Sequence, residues 1–236
     1  MTSVERSLAS YIDHTLLKPE ATAAEVARVI AEAREHGFAS VCLPPVYVSL
    51  AAQGLAGTAV HTGTVIGFPL GYVYPTVRLA ESLQAIEDGA EELDTVLDIS
   101  WLKSGEDRRV LDDLASWVAG VRAARDGLIL KVILETCLLT EDEKIRGTDL
   151  VAASGADFVK TSTGFSKGGA TVEDVALLTR VAAGRIGVKA SGGIRDAATA
   201  RAMIVAGATR LGTSSGVGIT TDPNPEAEPP LPGARR

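Results

Sequence analysis

In Leu128-Ile-Leu-Lys-Val-Ile-Leu134, Asp157-Phe-Val-Lys-Thr-Ser162 and Ile186-Gly-Val-Lys-Ala190, a lysine interrupts a short apolar run. Short apolar runs bounded by turn residues are typical of strands buried on both faces. A longer segment of helical period separates each run from the next. Repeated strand–helix units of this length predict parallel strands joined by right-handed crossovers.

The same alternation extends over most of the chain. It predicts strands that end near Asp13, Leu43, Gly67, Asp98, Glu135, Thr161, Ala190 and Gly212. Eight such units predict an α/β fold, a closed (β/α)8 TIM barrel, and the 236 residues suit a fold that typically needs ~250. A doubly wound open sheet is the alternative, although its usual six strands would not account for all eight predicted strand–helix units.

Helix signals lie between these strands. Helical periods cover residues 22–36, 77–88, 108–124, 171–183 and 195–205. Thr22 followed by Glu25 has capping-box spacing, and Gly37 stands just past the predicted end of that helix. Thr171 is a second candidate N-cap.

The chain end departs from the pattern. Residues 1–218 are predicted to form a single catalytic barrel domain, and 219–236 a Pro-rich, mostly disordered tail. The eighth helix is therefore expected to be short or absent.

Composition excludes some classes of function. A net charge of −7 argues against general nucleic-acid binding, but it leaves room for a small phosphorylated ligand. No apolar run approaches the ~20 residues of a membrane span, and the N-terminus has no signal-peptide pattern. Cys42 and Cys137 lie in apolar runs and are expected to be buried, reduced thiols. A cytoplasmic enzyme is expected.

The three lysines, Lys131, Lys160 and Lys189, indicate amine chemistry. A lysine is rarely fully buried without a partner, and burial lowers its pKa. A lysine with a lowered pKa is a nucleophile. The competing structural interpretation is a salt-bridged polar layer inside the barrel, but such a network is costly to build for stability alone.

The polar residues at the predicted strand ends belong to one candidate site, because barrel active sites form at the C-terminal ends of the strands. Side-chain alternation predicts that Glu92, Asp94 and Asp98 share one side of their strand, and that Lys131 and Glu135 share one side of theirs.

Seven segments, in order along the chain, resemble the deoxyribose-phosphate aldolase family of class I aldolases. They are Ile12-Asp-His-Thr-Leu-Leu-Lys-Pro19, Val65-Ile-Gly-Phe-Pro-Leu-Gly71, Glu92-Leu-Asp-Thr-Val96, Lys131-Val-Ile-Leu-Glu-Thr136, Phe158-Val-Lys-Thr-Ser-Thr-Gly-Phe165, Val188-Lys-Ala-Ser-Gly-Gly-Ile-Arg195 and Leu211-Gly-Thr-Ser-Ser-Gly216. The family reaction is the reversible cleavage of 2-deoxy-D-ribose 5-phosphate to D-glyceraldehyde 3-phosphate and acetaldehyde.

This resemblance implies a role for each matching residue. Lys160 would form the Schiff base, the ammonium of Lys189 would lower the pKa of Lys160, and Asp94 would move protons through water. The supporting residues would be Lys131, Asp13, Thr161 and Glu135. A homodimer is a family-based expectation.

A phosphate cradle is expected in the glycine-rich turns after the last two strands, since backbone N–H groups attract anions. Its candidates are Gly192, Gly193, Ser214, Ser215 and, on a loop over the site, Lys167. Plain turn glycines are the alternative. No His/Cys/Asp cluster has metal-ligand spacing and no GxGxxG follows a strand, so neither a metal nor another cofactor is expected.

Three positions depart from the family pattern: Pro44, Tyr72 and Asp98. They are expected to alter acceptor preference rather than Schiff-base chemistry. Two other functions remain open, a second Schiff-base or isomerase barrel such as a transaldolase-like enzyme, and a non-catalytic phosphosugar-binding barrel.

Overall fold

The eight predicted strands form a closed parallel barrel. A computed structural model describes residues 7–222 of the chain. The strands are β1 (Ile12–Thr15), β2 (Ser40–Leu43), β3 (His61–Ile66), β4 (Glu92–Val96), β5 (Ile129–Ile133), β6 (Phe158–Lys160), β7 (Gly187–Ser191) and β8 (Arg210–Thr213). Each pairs in parallel with the next, and β1 closes the ring on β8. The (β/α)8 prediction is confirmed, and the open-sheet alternative was wrong.

Helices surround the barrel. They are α1 (Ala23–His36), α2 (Val48–Leu55), α3 (Pro75–Glu87), α4 (Ile99–Lys103), α5 (Asp107–Ala124), α6 (Glu141–Ser154), α7 (Val172–Ala182), α8 (Ala197–Val205) and α9 (Gly216–Thr220). All five helices delimited from the sequence are present, with ends shifted by no more than two residues. The helices α2, α4 and α6 were not delimited from the sequence.

The predicted caps account for the accuracy at α1. Thr22 and Glu25 form the reciprocal capping box, and Gly37 ends the helix in the left-handed conformation at φ 63°. At α8 the start is later than predicted, because the carboxylate of Asp196 accepts the Thr199 N–H at 2.7 Å and fixes the first turn there.

Two strand ends were predicted too far along the chain. β4 ends at Val96, and Asp98 instead caps α4, where its carboxylate accepts the Trp101 N–H at 3.0 Å. β5 ends at Ile133, and Glu135 has a left-handed backbone with φ 59°. The prediction that Asp98 shares a strand face with Glu92 and Asp94 was therefore wrong.

Between β8 and residue 222, where the described part of the chain ends, the single helix is the five-residue α9, in agreement with the predicted short last helix. This helix continues to Thr220, two residues beyond the boundary predicted at 218, and Ile219 is buried in the core. The rest of the predicted tail, 223–236, lies outside the described residues.

Apolar side chains fill the space between strands and helices, while the barrel interior is charged. Both cysteines are free thiols; Cys42 is buried as predicted, but Cys137 is only partly buried because it lies in a turn after β5. In residues 7–222, no helix has the length and apolar character needed to cross a membrane.

Candidate active site

A cavity of about 480 Å³ opens at the C-terminal ends of the strands. Its wall includes Lys160 at the end of β6, Gly192 and Gly193 after β7, and Ser214 after β8. The cavity therefore occupies the place where the barrel fold puts active sites.

Beneath this cavity, three lysines meet one carboxylate. The Asp94 Oδ1 lies 2.8 Å from Lys131 Nζ, and its Oδ2 lies 2.8 Å from Lys160 Nζ and 2.7 Å from Lys189 Nζ. Each of these side chains is at least 96% buried. The cluster forms because β4, β5, β6 and β7 are consecutive in the ring and turn alternate residues inward.

The ionic network continues toward the N-terminal ends of the strands, where Glu92 begins β4 and Arg210 begins β8. Lys131 also reaches Glu92 at 2.5 Å, and Lys189 is paired with Asp13. Arg210 Nη1 lies 2.5 Å from Asp13 Oδ1 and 3.1 Å from Glu92 Oε1.

The network shifts the pKa values of its lysines in different directions. Burial, followed by the ammonium of Lys189, lowers the pKa of Lys160 more than Asp94 raises it. Burial also acts on Lys189, but Asp13 and Asp94 outweigh it and raise the pKa. The pKa of Lys131 is raised in the same way by Asp94 and Glu92 against burial. Lys160 is thus the lysine of the three most readily present as a free amine.

Asp94 is ionised in this arrangement. Burial alone would raise its pKa, but Lys131, Lys160 and Lys189 hold the pKa well below its usual range. The carboxylate can therefore accept a proton or a hydrogen bond from a group bound in the cavity, and it does not donate one in this state.

Two of the predicted supporting residues, Thr161 and Glu135, form hydrogen bonds within the loops around the site and do not contact the lysine cluster. Thr161 donates to the Ser191 carbonyl at 3.2 Å and accepts the Ser191 N–H at 3.1 Å, which joins the ends of β6 and β7. Glu135 does not lie beside Lys131, because the left-handed turn carries it outside β5; it accepts hydrogen bonds from the N–H and hydroxyl of Thr163.

The phosphate candidates divide into two groups. Gly192 (φ 87°) and Gly193 (φ 82°) have backbones that favour glycine, and with Ser214 they line the cavity. Ser215 does not line it; its N–H donates to the Thr213 hydroxyl at 2.9 Å.

Lys167 is exposed and does not line the cavity. The Phe165 N–H donates to the Thr163 hydroxyl at 3.0 Å, and this turn places Phe165 rather than Lys167 in the cavity wall. Two basic residues that sequence reasoning did not select, Lys18 and Arg195, line the cavity instead. The sequence held a signal for both, since each lies within four residues of a strand end, Thr15 for Lys18 and Ser191 for Arg195.

A second cavity of about 360 Å³ lies beyond Phe165. Thr163 and Phe165 line both cavities, while the departures Tyr72 and Asp98 line only the second of these two. Neither departure touches the lysine cluster.

Arg210 was also missed from the sequence. It is the first residue of β8, before the apolar run rather than after it, so a search of strand ends passes over it. In the described residues, no group of three or more His, Cys, Asp or Glu side chains could hold a metal ion.

Comparison with known proteins identifies relatives over nearly the whole described chain. Residues 7–220 match the model of the DeoC/LacD family aldolases. A deoxyribose-phosphate aldolase of Geobacillus sp. strain WCH70 is 53% identical over 216 residues, which cover 92% of this chain and 96% of that protein. One from Streptococcus gordonii is 55% identical over 212 residues, which cover 90% and 94% of the two chains.

A solved structure is similar in fold and sequence. The tetrameric deoxyribose phosphate aldolase from Aeropyrum pernix superposes with a TM-score of 0.82 at 38% identity, covering 90% of this chain and 89% of that chain.

Proposed function

The chain belongs to the DeoC/LacD family of aldolases, and we propose that it reversibly cleaves 2-deoxy-D-ribose 5-phosphate to D-glyceraldehyde 3-phosphate and acetaldehyde. It is a carbon–carbon lyase that works through a Schiff base on Lys160 and uses no added cofactor. The observation that carries this assignment is that Lys160 reaches the cavity, whereas Lys131 and Lys189 do not line it.

The first steps form the Schiff base. The free amine of Lys160 attacks C1 of the open-chain sugar, and the resulting carbinolamine loses water to leave an iminium ion. The hydroxyl oxygen needs a proton to depart, and that proton is supplied through water. Asp94, ionised between Lys131 and Lys189, stabilises the positive nitrogen that develops beside it.

Cleavage follows from the iminium ion acting as an electron sink. A base removes the C3 hydroxyl proton, the C2–C3 bond breaks, and its electron pair becomes the enamine of acetaldehyde on Lys160. D-glyceraldehyde 3-phosphate leaves. The enamine is protonated at C2, and hydrolysis of the iminium ion releases acetaldehyde and restores the amine. Asp94 with water is the proposed proton carrier.

The phosphate is assigned to the glycine-rich side of the cavity. Gly192, Gly193 and Ser214 line it, and the backbone N–H groups there can bind oxyanions. Lys18 and Arg195 add positive charge to the same wall. Ser215 and Lys167 keep a proposed role from the family resemblance alone.

Reductive trapping tests the assignment. Acetaldehyde with borohydride should add an ethyl group to the peptide that contains Lys160, because the cavity-lining amine with the lowered pKa forms the iminium ion most readily and borohydride reduces it to a stable secondary amine. Lys160→Ala should lose both adduct and sugar cleavage while keeping the circular dichroism spectrum of the folded protein. Lys103→Ala, an exposed lysine paired with Glu143, is the matched control and should keep both. An adduct on another lysine only, or none in the intact protein, would refute the proposal.

The expected location and assembly complete the proposal. Two free thiols are in keeping with a reducing cytoplasm. Light scattering should give a homodimer, twice the 24.5 kDa of one chain, and fractionation should place the activity in the cytoplasm.

A further inference from the structure

The buried ionic network has one more cation than it has carboxylates. Within residues 7–222 its carboxylates are Asp13, Glu92 and Asp94, and its cations are Lys131, Lys160, Lys189 and Arg210. An uncompensated charge in a barrel interior is costly, so a network of this composition favours the loss of one proton.

The partners of each cation show where that proton leaves. Arg210 contacts Asp13 and Glu92, and Lys189 contacts Asp13 and Asp94. Lys131 contacts all three carboxylates, with Asp13 the most distant at 3.6 Å. Lys160 contacts a single carboxylate of the described chain, Asp94. That carboxylate already receives Lys131 and Lys189, so Lys160 is the least compensated cation of the four.

Arginine is the fixed charge in this set, because a guanidinium keeps its proton at any pH at which the protein is folded. We propose that Arg210, the first residue of β8, supplies the surplus positive charge that makes Lys160 give up its proton. This inference rests on the proposed Schiff-base role of Lys160.

Arg210 acts at a distance. It does not line the cavity, and its guanidinium lies over the Phe158 ring at 5.6 Å from the ring centroid. Its contacts with Asp13 and Glu92 occupy carboxylate oxygens that would otherwise compensate the lysines. It is therefore a positioning residue, and the raised pKa of its own guanidinium, from Asp13 and Glu92 against burial, agrees with this.

Two further titratable groups face the network. Cys42 projects from β2 toward the lysines, and burial raises the pKa of its thiol, so it stays neutral. His61, on β3 at the lower rim, contacts Glu92 at 2.9 Å, and that hydrogen bond raises the pKa of the imidazole despite burial. A protonated His61 would add one positive charge to the network, and the negative charge of the nearby Glu91 would partly cancel it.

The test measures how fast Lys160 is reductively alkylated by acetaldehyde as a function of pH. Unlike sugar phosphate turnover, this reading does not include titration of the substrate phosphate. Arg210→Met removes the surplus charge, so the acid limb of the plot of alkylation rate against pH should move to higher pH by about one unit, the order expected when a unit charge is lost from a buried ionic network. Arg210→Lys keeps the charge and should stay near the wild-type limb.

Glu92→Gln is the opposing variant. It removes a negative charge, so the acid limb should move to lower pH, and the double variant with Arg210→Met should return toward the wild-type value. A His61→Gln background repeats the comparison without the rim imidazole. If charge balance sets the pKa of Lys160, the acid limbs of the two single variants shift in opposite directions. Structural damage would instead slow alkylation in both variants without opposite shifts.

Each result decides the inference. If the acid limbs of Arg210→Met and Glu92→Gln move in the same direction, or do not move, the proposed role of Arg210 is wrong. If Arg210→Met does not fold, Glu92→Gln still decides, because an unmoved or raised limb overturns the inference. A wild-type protein with no adduct on Lys160 overturns the proposed function instead.

Discussion

At the scale of single residues, the three lysines differ in their partners rather than in their burial. All three side chains are at most 4% exposed. Lys189 has two carboxylates while Lys160 shares one, and the pKa values move in opposite directions accordingly. The family resemblance implied that the Lys189 ammonium lowers the pKa of Lys160; it does contribute, but burial is the larger cause.

Lys189→Met should make Lys160 a poorer nucleophile at neutral pH. Removal of the neighbouring ammonium frees Asp94 to compensate Lys160, so the pKa of Lys160 rises and the acid limb of kcat/KM moves upward. Cleavage at pH 7 should fall by about tenfold for each unit of that shift and recover at higher pH. Loss of activity that is equal at all pH values would contradict this explanation. Lys103→Met serves as the exposed control.

At the scale of elements, the phosphate side of the cavity depends on two loops in close backbone contact. The Ala170 N–H donates to the carbonyls of Ser191 and Gly192, at 3.0 Å each. A Cβ on Gly169 would lie 2.3 Å from the Gly192 carbonyl oxygen, so the loop after β6 can approach the loop after β7 only with glycine at this position.

Gly169→Ala should therefore weaken binding of phosphorylated sugar. The side chain would push the two loops apart and displace Gly192 and Gly193, so KM for 2-deoxy-D-ribose 5-phosphate should rise while cleavage of unphosphorylated 2-deoxyribose changes little. Gly218→Ala is the control, because a Cβ there meets nothing within 4 Å. A similar loss with both sugars would place the effect outside phosphate binding.

The elements also show what sequence could and could not predict. Caps made the helix ends readable, as at Thr22 and Gly37, because capping is a local interaction. The strand ends at Asp98 and Glu135 were misplaced, because alternation alone does not show that a carboxylate caps a helix or that a residue other than glycine adopts φ 59°. Arg210 was missed because its partners lie far away in the chain and meet it only when the barrel closes.

At the scale of the whole molecule, the charged interior links stability to pH. The lysines and Arg210 hold the pKa values of Asp13, Glu92 and Asp94 below their usual range, against the opposing effect of burial. A carboxylate with a lowered folded-state pKa stabilises the fold above its unfolded pKa of about 4, and this contribution is lost as the pH falls through the folded value.

The urea midpoint should therefore be nearly constant from pH 7 to about pH 5 and fall steeply below about pH 4. Asp112→Asn, which removes an exposed carboxylate paired with Arg108, should leave the shape of that curve unchanged. Glu92→Gln should make the acid loss shallower, since one buried carboxylate no longer titrates. A wild-type midpoint that stays level down to pH 3 would show that the network does not govern acid stability.

Because Lys160 shares its one carboxylate with two other lysines, natural selection for activity at this position costs stability. A lysine whose pKa is lowered by folding binds fewer protons in the native state than in the unfolded chain, so at neutral pH it opposes folding. Lys160→Met, which keeps much of the apolar stem, should raise the melting temperature while removing the reaction, and a lower melting temperature would contradict this. Catalysis and thermal stability therefore make opposite demands on residue 160. A descendant of this protein that is no longer selected for activity would become more heat-stable by losing the lysine.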